Sequence, residues 1–541
     1  MDQLQHTALR EQIGQMVMCG FSGKKPTEDI LRLIREYRLG NVIYFRDNIG
    51  TPEEVRQLSV TLQEASRLAG NGPLWIAVDQ EGGMVARIDR QVALMAGNMA
   101  LGAAGSPELV YETARISGME LRSLGINLNF APCVDVNNNK ANPVIGVRSY
   151  GEDAGVVGLM GARAVQGYQD AGISACPKHF PGHGDTTADS HLELPTVPHD
   201  LERLRQVELP PFVSAIAAGA DVVMTAHVQF PAYDASGLPA TLSAAVLEGL
   251  LRAELGFGGV IATDCLEMKA ISGTVGVGRG AVMAVKAGAD LVLVSHTPEL
   301  QLEALEAIYQ AVLSGELPQE RITASARRIR EAKARREEAW QQLVREQGIP
   351  EVGAPEHMKA AGEAAERAVT LVKAAGEGGF PLDDAAPTLV IWPRVEARTD
   401  VDEAIRQEIT LGKALAPYIA DLQELAVSLA PDDAEIEAVL AAVRAGRLQI
   451  VAGTYNAAFN PGQALLVQTL MELPGAKVTV AALRSPYDLL SFTGVQTYVA
   501  CYENRPLMLQ AAAKVLTGRL PASGKLPVTL SADYPAGWGI S

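Results

Sequence analysis

The chain has 541 residues, 48% hydrophobic and 20% charged, which is the balance of a globular protein with apolar material for large cores and more than one domain. Its formal net charge of −17 argues against nucleic acid or an anionic membrane as partner, because both call for a basic face. A small, mostly neutral substrate suits that charge better. The five cysteines (Cys19, Cys133, Cys176, Cys265, Cys501) are scattered, odd in number and form no CxxC pair, as expected of free thiols in a reducing compartment. The opening MDQLQHTALREQIGQ has neither the basic nor the apolar stretch of a secretory signal. No apolar run reaches the roughly 18 residues that a membrane span needs. A cytoplasmic protein is the expectation.

In chain order, eight short apolar runs fall in the first three hundred residues: QMVMCGF (15–21), NVIYF (41–45), LWIAVD (74–79), INLNFAPCVDV (126–136), ISACPKHF (173–180), DVVMTAHV (221–228), GVIATD (259–264) and DLVLVSH (290–296). Near-continuous apolar strands suit a parallel sheet buried on both faces. Helical patterns separate them, among them 26–37, 51–69, 106–125 and 201–219, several opening on the Thr, Ser or Pro that a first turn favours. The alternation predicts a (β/α)8 TIM barrel over residues 1–335; a doubly wound open sheet would alternate in the same way. The barrel is favoured because polar residues collect at the C-terminal ends of the runs: Arg46 and Asp47, Asp79 to Glu81, Asp135, Lys178 and His179, His227, Asp264 and His296. In a barrel that rim carries the active site.

Residues 317–347 are densely charged, with Glu interleaved among Arg and Lys, which predicts a solvated helix at the end of the barrel. A helical linker is expected over 336–360. From 361 to 541 an α/β pattern restarts, with strands expected at 388–392, 448–456, 477–483 and 495–502 and helices such as 432–446 and 506–518 between them. This predicts a smaller C-terminal α/β sandwich domain with a mostly parallel sheet and few candidate catalytic residues.

The segment 178–191, KHFPGHGDTTADSH, holds three of the eight histidines. Pro181, Gly182 and Gly184 break regular structure, so a polar loop at the barrel rim is expected. One reading is a metal site drawn from His179, His183, Asp185, Asp189 and His191, although Pro181 and Gly182 keep His179 and His183 off a common helical face. A plainer one is a loop whose histidines only satisfy backbone groups. A third is acid/base work: Asp189, two residues from His191, would set its tautomer and leave the other ring nitrogen to exchange a proton. Asp264 ends an apolar strand, where it would be a nucleophile, a stabiliser of a cationic transition state or the cap of the next helix. In AVDQEGGMVARI (77–88), Asp79 and Arg87 offer paired acceptors and donors suited to sugar hydroxyls, or a structural ion pair. Arg148 in NPVIGVRSYGED (142–153) follows the fourth strand. The Gly-rich GTVGVGRGA (273–281) lacks the spacing of a nucleotide loop.

Taken together, KHFPGHGDT followed by DSH, DQEGG with Arg87, GVRSYG, MTAHV (224–228) and TDCLEM resemble glycoside hydrolase family 3, and within it the bacterial β-N-acetylglucosaminidases. The ending NRPLMLQAAAKVLTGRLPASGKLPVTL (504–530) is similar to the second domain of two-domain members. The resemblance implies retaining exo-hydrolysis of terminal β-linked N-acetylglucosamine from muropeptides, as in cell-wall recycling, or from chitin oligosaccharides. It implies Asp264 as nucleophile, His191 as general acid/base with Asp189 as its partner, and Asp79, Arg87, Arg148, Lys178 and His179 as sugar-binding residues. No metal or organic cofactor is implied. A phosphorylase using the same site, and a sugar-binding protein that no longer turns over, stay open as alternatives. Met84 and Cys265 depart from the family pattern; Met84 suggests a different aglycone contact, and Cys265 a thiol beside the nucleophile.

Overall fold

A computed structural model describes residues 3–187, 194–337, 351–374, 380–395 and 408–541. Eight strands build the N-terminal sheet: β1 Val17–Cys19, β2 Asn41–Tyr44, β3 Trp75–Val78, β4 Leu128–Asn129, β5 Ser174–Ala175, β6 Val222–Met224, β7 Val260–Cys265 and β8 Leu291–Val294. All neighbours are parallel, in the order β5-β4-β3-β2-β1-β8-β7-β6. The last seam, between β5 and β6, is closed just past the end of β5. There Met224 N donates to Pro177 O at 3.1 Å, Phe180 N to Met224 O at 2.8 Å and Ala226 N to Phe180 O at 2.8 Å. The sheet is therefore the expected barrel and not an open doubly wound sheet.

Each strand falls inside one of the eight apolar runs, apart from Cys265, one residue beyond the seventh. β4 and β5 are far shorter than their runs, because Pro132 and Pro177 supply no N–H to the ladder. All strand residues are buried except the last two of β7, Asp264 and Cys265, which are half-buried where the barrel opens. The expected helix 201–219 is two helices, Leu201–Gln206 and Pro210–Ala217, since Pro210 and Pro211 start a helix but cannot continue one. The charged segment after 317 forms the helix Gln319–Ala334, and it is not solvated all round: Ile322, Ala326, Ile329, Ala332 and Lys333 are buried. Lys333 Nζ donates to Gly40 O at 2.8 Å.

The second sheet contains β9 Thr370–Ala374, β10 Thr388–Pro393, β11 Leu422–Val427, β12 Gln449–Thr454, β13 Lys477–Ala482 and β14 Thr497–Ala500. Its order is β9-β14-β13-β12-β10-β11, parallel except that β9 runs antiparallel to β14. Of the expected linker 336–360, residues 338–350 lie outside the described residues, and the helix Pro355–Ala368 runs across position 360. Among the described residues no helix is long and apolar enough to cross a membrane.

Candidate active site

The C-terminal ends of the barrel strands surround a pocket of about 430 Å³, within the size range of small-molecule sites. Asp79, Arg87, Arg148, Lys178, His179 and Asp264, brought from four different strand ends, all line it. Asp189 and His191 fall in 188–193, outside the described residues.

A hairpin after β3 delivers the first of these groups. Its arms, Gln80–Gly82 and Val85–Ala86, turn at Gly82 and Gly83, whose φ values of +97° and +53° favour glycine. The Gln80 side chain closes its base, donating to Ile88 O at 2.7 Å and accepting from Ile88 N at 3.0 Å. The hairpin thereby carries Glu81 and Arg87 to the pocket along with Asp79. Met84 is buried in the turn and does not line the pocket, so the suggested aglycone contact is set aside.

A second loop supplies Arg148. Asn142 Oδ1 accepts from Val144 N at 2.9 Å and Ile145 N at 2.8 Å, which curls the chain locally. Asn142 Nδ2 donates to His183 O and Gly184 O, both at 2.9 Å, joining this loop to the start of the histidine-rich one.

The floor is an ion-paired cluster. Arg148 reaches Glu81 with two parallel bonds, Nε to Oε2 at 3.0 Å and Nη2 to Oε1 at 2.8 Å. Lys178 Nζ lies 2.8 Å from Glu81 Oε1 and 2.7 Å from Asp79 Oδ1, and Arg87 Nη2 lies 3.4 Å from Asp79 Oδ2. Burial works to raise both carboxyls, but the adjacent cations overrule it and hold Asp79 and Glu81 below their ordinary values. Burial likewise works against Lys178 and Arg148, and the carboxylates keep both cationic.

Asp135 stands beneath this floor. Its carboxylate faces His179 Nδ1 at 2.7 Å and accepts from His183 N at 2.6 Å. An ionised Asp135 places the His179 proton on Nδ1 and turns Nε2 toward Arg148, 3.4 Å away. Burial and the neighbouring His179 push His183 down to about 4, so it is neutral at physiological pH. Cys133, Asp135 and His179 are the described donors that converge as metal ligands could. However, Asp135 already faces two backbone N–H groups, an imidazole and the Cys133 thiol, and burial drives that thiol well above its ordinary value. This donor set fits a hydrogen-bonded support for His179 better than a metal centre. In the loop beyond, His183 Nδ1 meets Thr186 Oγ1 at 2.8 Å and Asp185 pairs with His199, so these side chains do not share a centre with His179.

Asp264 Oδ1 accepts from Cys265 N at 2.7 Å. It is not the cap of the next helix, Lys269–Ser272, which begins after Met268. The Cys265 thiol also lines the pocket, but burial pushes it up to about 12, which makes it a poor nucleophile at neutral pH. Glu267 is committed to the backbone, accepting from His296 N at 2.6 Å and Thr297 N at 2.9 Å. At the rim the Phe45 and His296 rings lie with centroids 4.5 Å apart. Sequence reasoning gave Glu81 and Asp135 no role in the site and weighed His183 only as a possible metal ligand. Glu81 and Asp135 stood at strand ends, and that position was the available signal.

A (β/α)8 barrel with paired carboxylates and cations in a pocket at its C-terminal rim defines an enzyme of the glycoside hydrolase type. Residues 8–332 match the glycosyl hydrolase family 3 N-terminal domain, and the chain belongs to that family. A solved structure of a glycoside hydrolase family 3 beta-N-acetylglucosaminidase from Paenibacillus sp. str. FPU-7 is similar with a TM-score of 0.92 at 47% identity, covering 97% of this chain and 99% of that one. Beta-hexosaminidase A of Pseudoalteromonas piscicida is 33% identical over 96% of this chain and 97% of its own length. A beta-hexosaminidase of Xylella fastidiosa is 37% identical over 54% of this chain and 87% of its own length.

Proposed function

We propose that this protein removes terminal, non-reducing β-linked N-acetylglucosamine with retention, through a covalent glycosyl-enzyme on Asp264. The observation that carries the reading is the position of Asp264, half-buried at the end of β7, on the pocket whose floor is the cluster of Asp79, Glu81, Arg148 and Lys178. Such a floor holds fixed donors and acceptors against vicinal hydroxyls, and a neighbouring carboxylate attacks the anomeric carbon. Asp79 and Glu81 are poor candidates for that attack, because each is neutralised by buried cations. The names of the Paenibacillus and Pseudoalteromonas relatives support the N-acetylamino sugar. His191, with Asp189, is assigned the proton transfers on the strength of the DSH sequence. The leaving group is the muramic residue of a muropeptide or the next sugar of a chitin oligosaccharide.

The test is a panel of aryl β-N-acetylglucosaminide, aryl β-glucoside, a disaccharide muropeptide and chitobiose, run in phosphate buffer. The N-acetylglucosaminide is expected to be cleaved in preference to the glucoside, with release of free sugar. Sugar 1-phosphate as the product would replace hydrolysis by phosphorolysis. Asp264→Asn should lower turnover by at least about 10³-fold while leaving N-acetylglucosamine binding in place. A variant that keeps most of its activity would remove Asp264 from the role. Loss of His191 should harm the natural disaccharides far more than the activated aryl glycoside, which needs little help from an acid.

A further inference from the structure

The hairpin that presents Glu81 and Arg87 is held from behind by the other domain. Arg505, at the start of the helix Pro506–Leu516, donates through Nε to Gly83 O at 2.6 Å. Its Nη1 lies 3.4 Å from Asp89 Oδ2. That same oxygen takes Arg46 Nη2 at 2.8 Å, and Arg46 Nη1 donates to Arg87 O at 2.7 Å. Glu503 accepts from Gly97 N at 2.8 Å, under the same turn. The approach is as close as it can be: a Cβ on Gly83 would lie 2.3 Å from Glu503 Oε2 and 2.6 Å from Gly97 Cα. A small cavity behind the pocket is lined jointly by Glu81, Arg148, Tyr502 and Glu503.

We infer that Arg505 and Glu503 are positioning residues for the sugar-binding floor: the C-terminal domain fixes the Gly82–Gly83 turn, and through it the places of Glu81 and Arg87. The inference rests on the sugar-binding role proposed for that floor. Both residues are only 3% exposed. Buried charges of this kind return little stability, since desolvation offsets the attraction, so their gain is a defined geometry. Arg505 suits the task because its planar fork meets Gly83 O through Nε and Asp89 through Nη1 in one fixed geometry, whereas an ammonium offers its donors from a single nitrogen on a flexible stem. The second domain therefore completes the site without lining it among the described residues.

The experiment compares the full-length protein with Arg505→Ala, Arg505→Lys and Thr529→Val. The last breaks a different interdomain contact, from Thr529 Oγ1 to Glu152 Oε1 at 2.6 Å. KM and kcat are measured on the aryl β-N-acetylglucosaminide, and the Kd of N-acetylglucosamine by calorimetry, well below each variant's Tm. Arg505→Ala should raise KM and Kd by roughly 10- to 100-fold with a smaller change in kcat, Arg505→Lys should fall between it and the parent, and Thr529→Val should match the parent. A folded Arg505→Ala with parental KM and Kd overturns the inference, as does an equal loss in Thr529→Val. Should the alanine variant not fold, parental KM in Arg505→Lys overturns it instead. If the unmodified protein does not cleave the N-acetylglucosaminide, the functional reading fails separately, and the same comparison is made on the glycoside it does cleave.

Discussion

Glu81 is the side chain on which the polar floor depends, because one carboxylate compensates two buried cations. Replacing it by Ala leaves Arg148 and Lys178 under-compensated in a dry setting, and stability should fall by about 3–5 kcal/mol, read from denaturant unfolding. The same contacts set the acid behaviour of the site. Asp79 and Glu81 are held below their ordinary values, so their stabilisation is present above the unfolded carboxylate range and is lost as pH falls below about 4. His183 adds to this in the same direction. Its folded value of about 4 against an ordinary 6.5 means that the unfolded chain takes the proton first, and stability declines from pH 6.5 downward. Thermal melts of the parent and Glu81→Ala between pH 7 and 3 should converge at the acid end. Parallel curves would contradict the assigned ion pairs.

At the scale of elements, the hairpin 80–88 and the loop 142–148 convert a generic barrel rim into a site. The Gly82–Gly83 pair in the sequence announces a sharp turn, and the structure adds that Gly83 has no room for any side chain. Gly83→Ala meets Gly97 backbone atoms that cannot yield, so it should cost about 1–3 kcal/mol and raise KM together. Calorimetric melting and steady-state kinetics on one preparation check both, and an unchanged KM would separate the turn from the floor. The elements that sequence reasoning missed have a common cause. β9 and β11 are the two edges of the second sheet, and their Lys373 and Glu424 blunt the apolar signal that marked the central strands. The error at 201–219 had the opposite origin: the apolar helical pattern continued through Pro210, where the backbone could not.

At the scale of the whole molecule, the domain interface carries its own titration. Burial pushes the Glu503 carboxyl up to about 7, against the pull of Gly97 N–H and Arg505. A raised carboxyl favours the folded state fully below the ordinary glutamate range, near 4.5, and that contribution is lost as pH climbs to about 7. The Arg505 guanidinium faces the same interface, paired with Asp89, and stays cationic across this window. Glu503→Gln keeps an acceptor for Gly97 N and has no proton to lose, and His183 contributes equally to both proteins, so the variant's melting temperature should gain on the parent's as pH rises from 5 to 8. Equal slopes would remove Glu503 as the source.

The sequence by itself determined the barrel, the mostly parallel second sheet and the rim on which the chemistry sits. Local patterning carries those: near-continuous apolar runs specify buried parallel strands, and polar residues at their ends specify an open face. It also brought forward Asp79, Arg87, Arg148, Lys178, His179 and Asp264, which the fold gathers into one pocket. Only the tertiary structure decided how they are held. Glu81 acquires its role from cations that lie 67 and 97 residues further along the chain, and Gly83 from an arginine 422 residues away. Contacts over such separations leave no period or spacing in the sequence, because they arise from closure of the barrel and from the docking of one domain on the other.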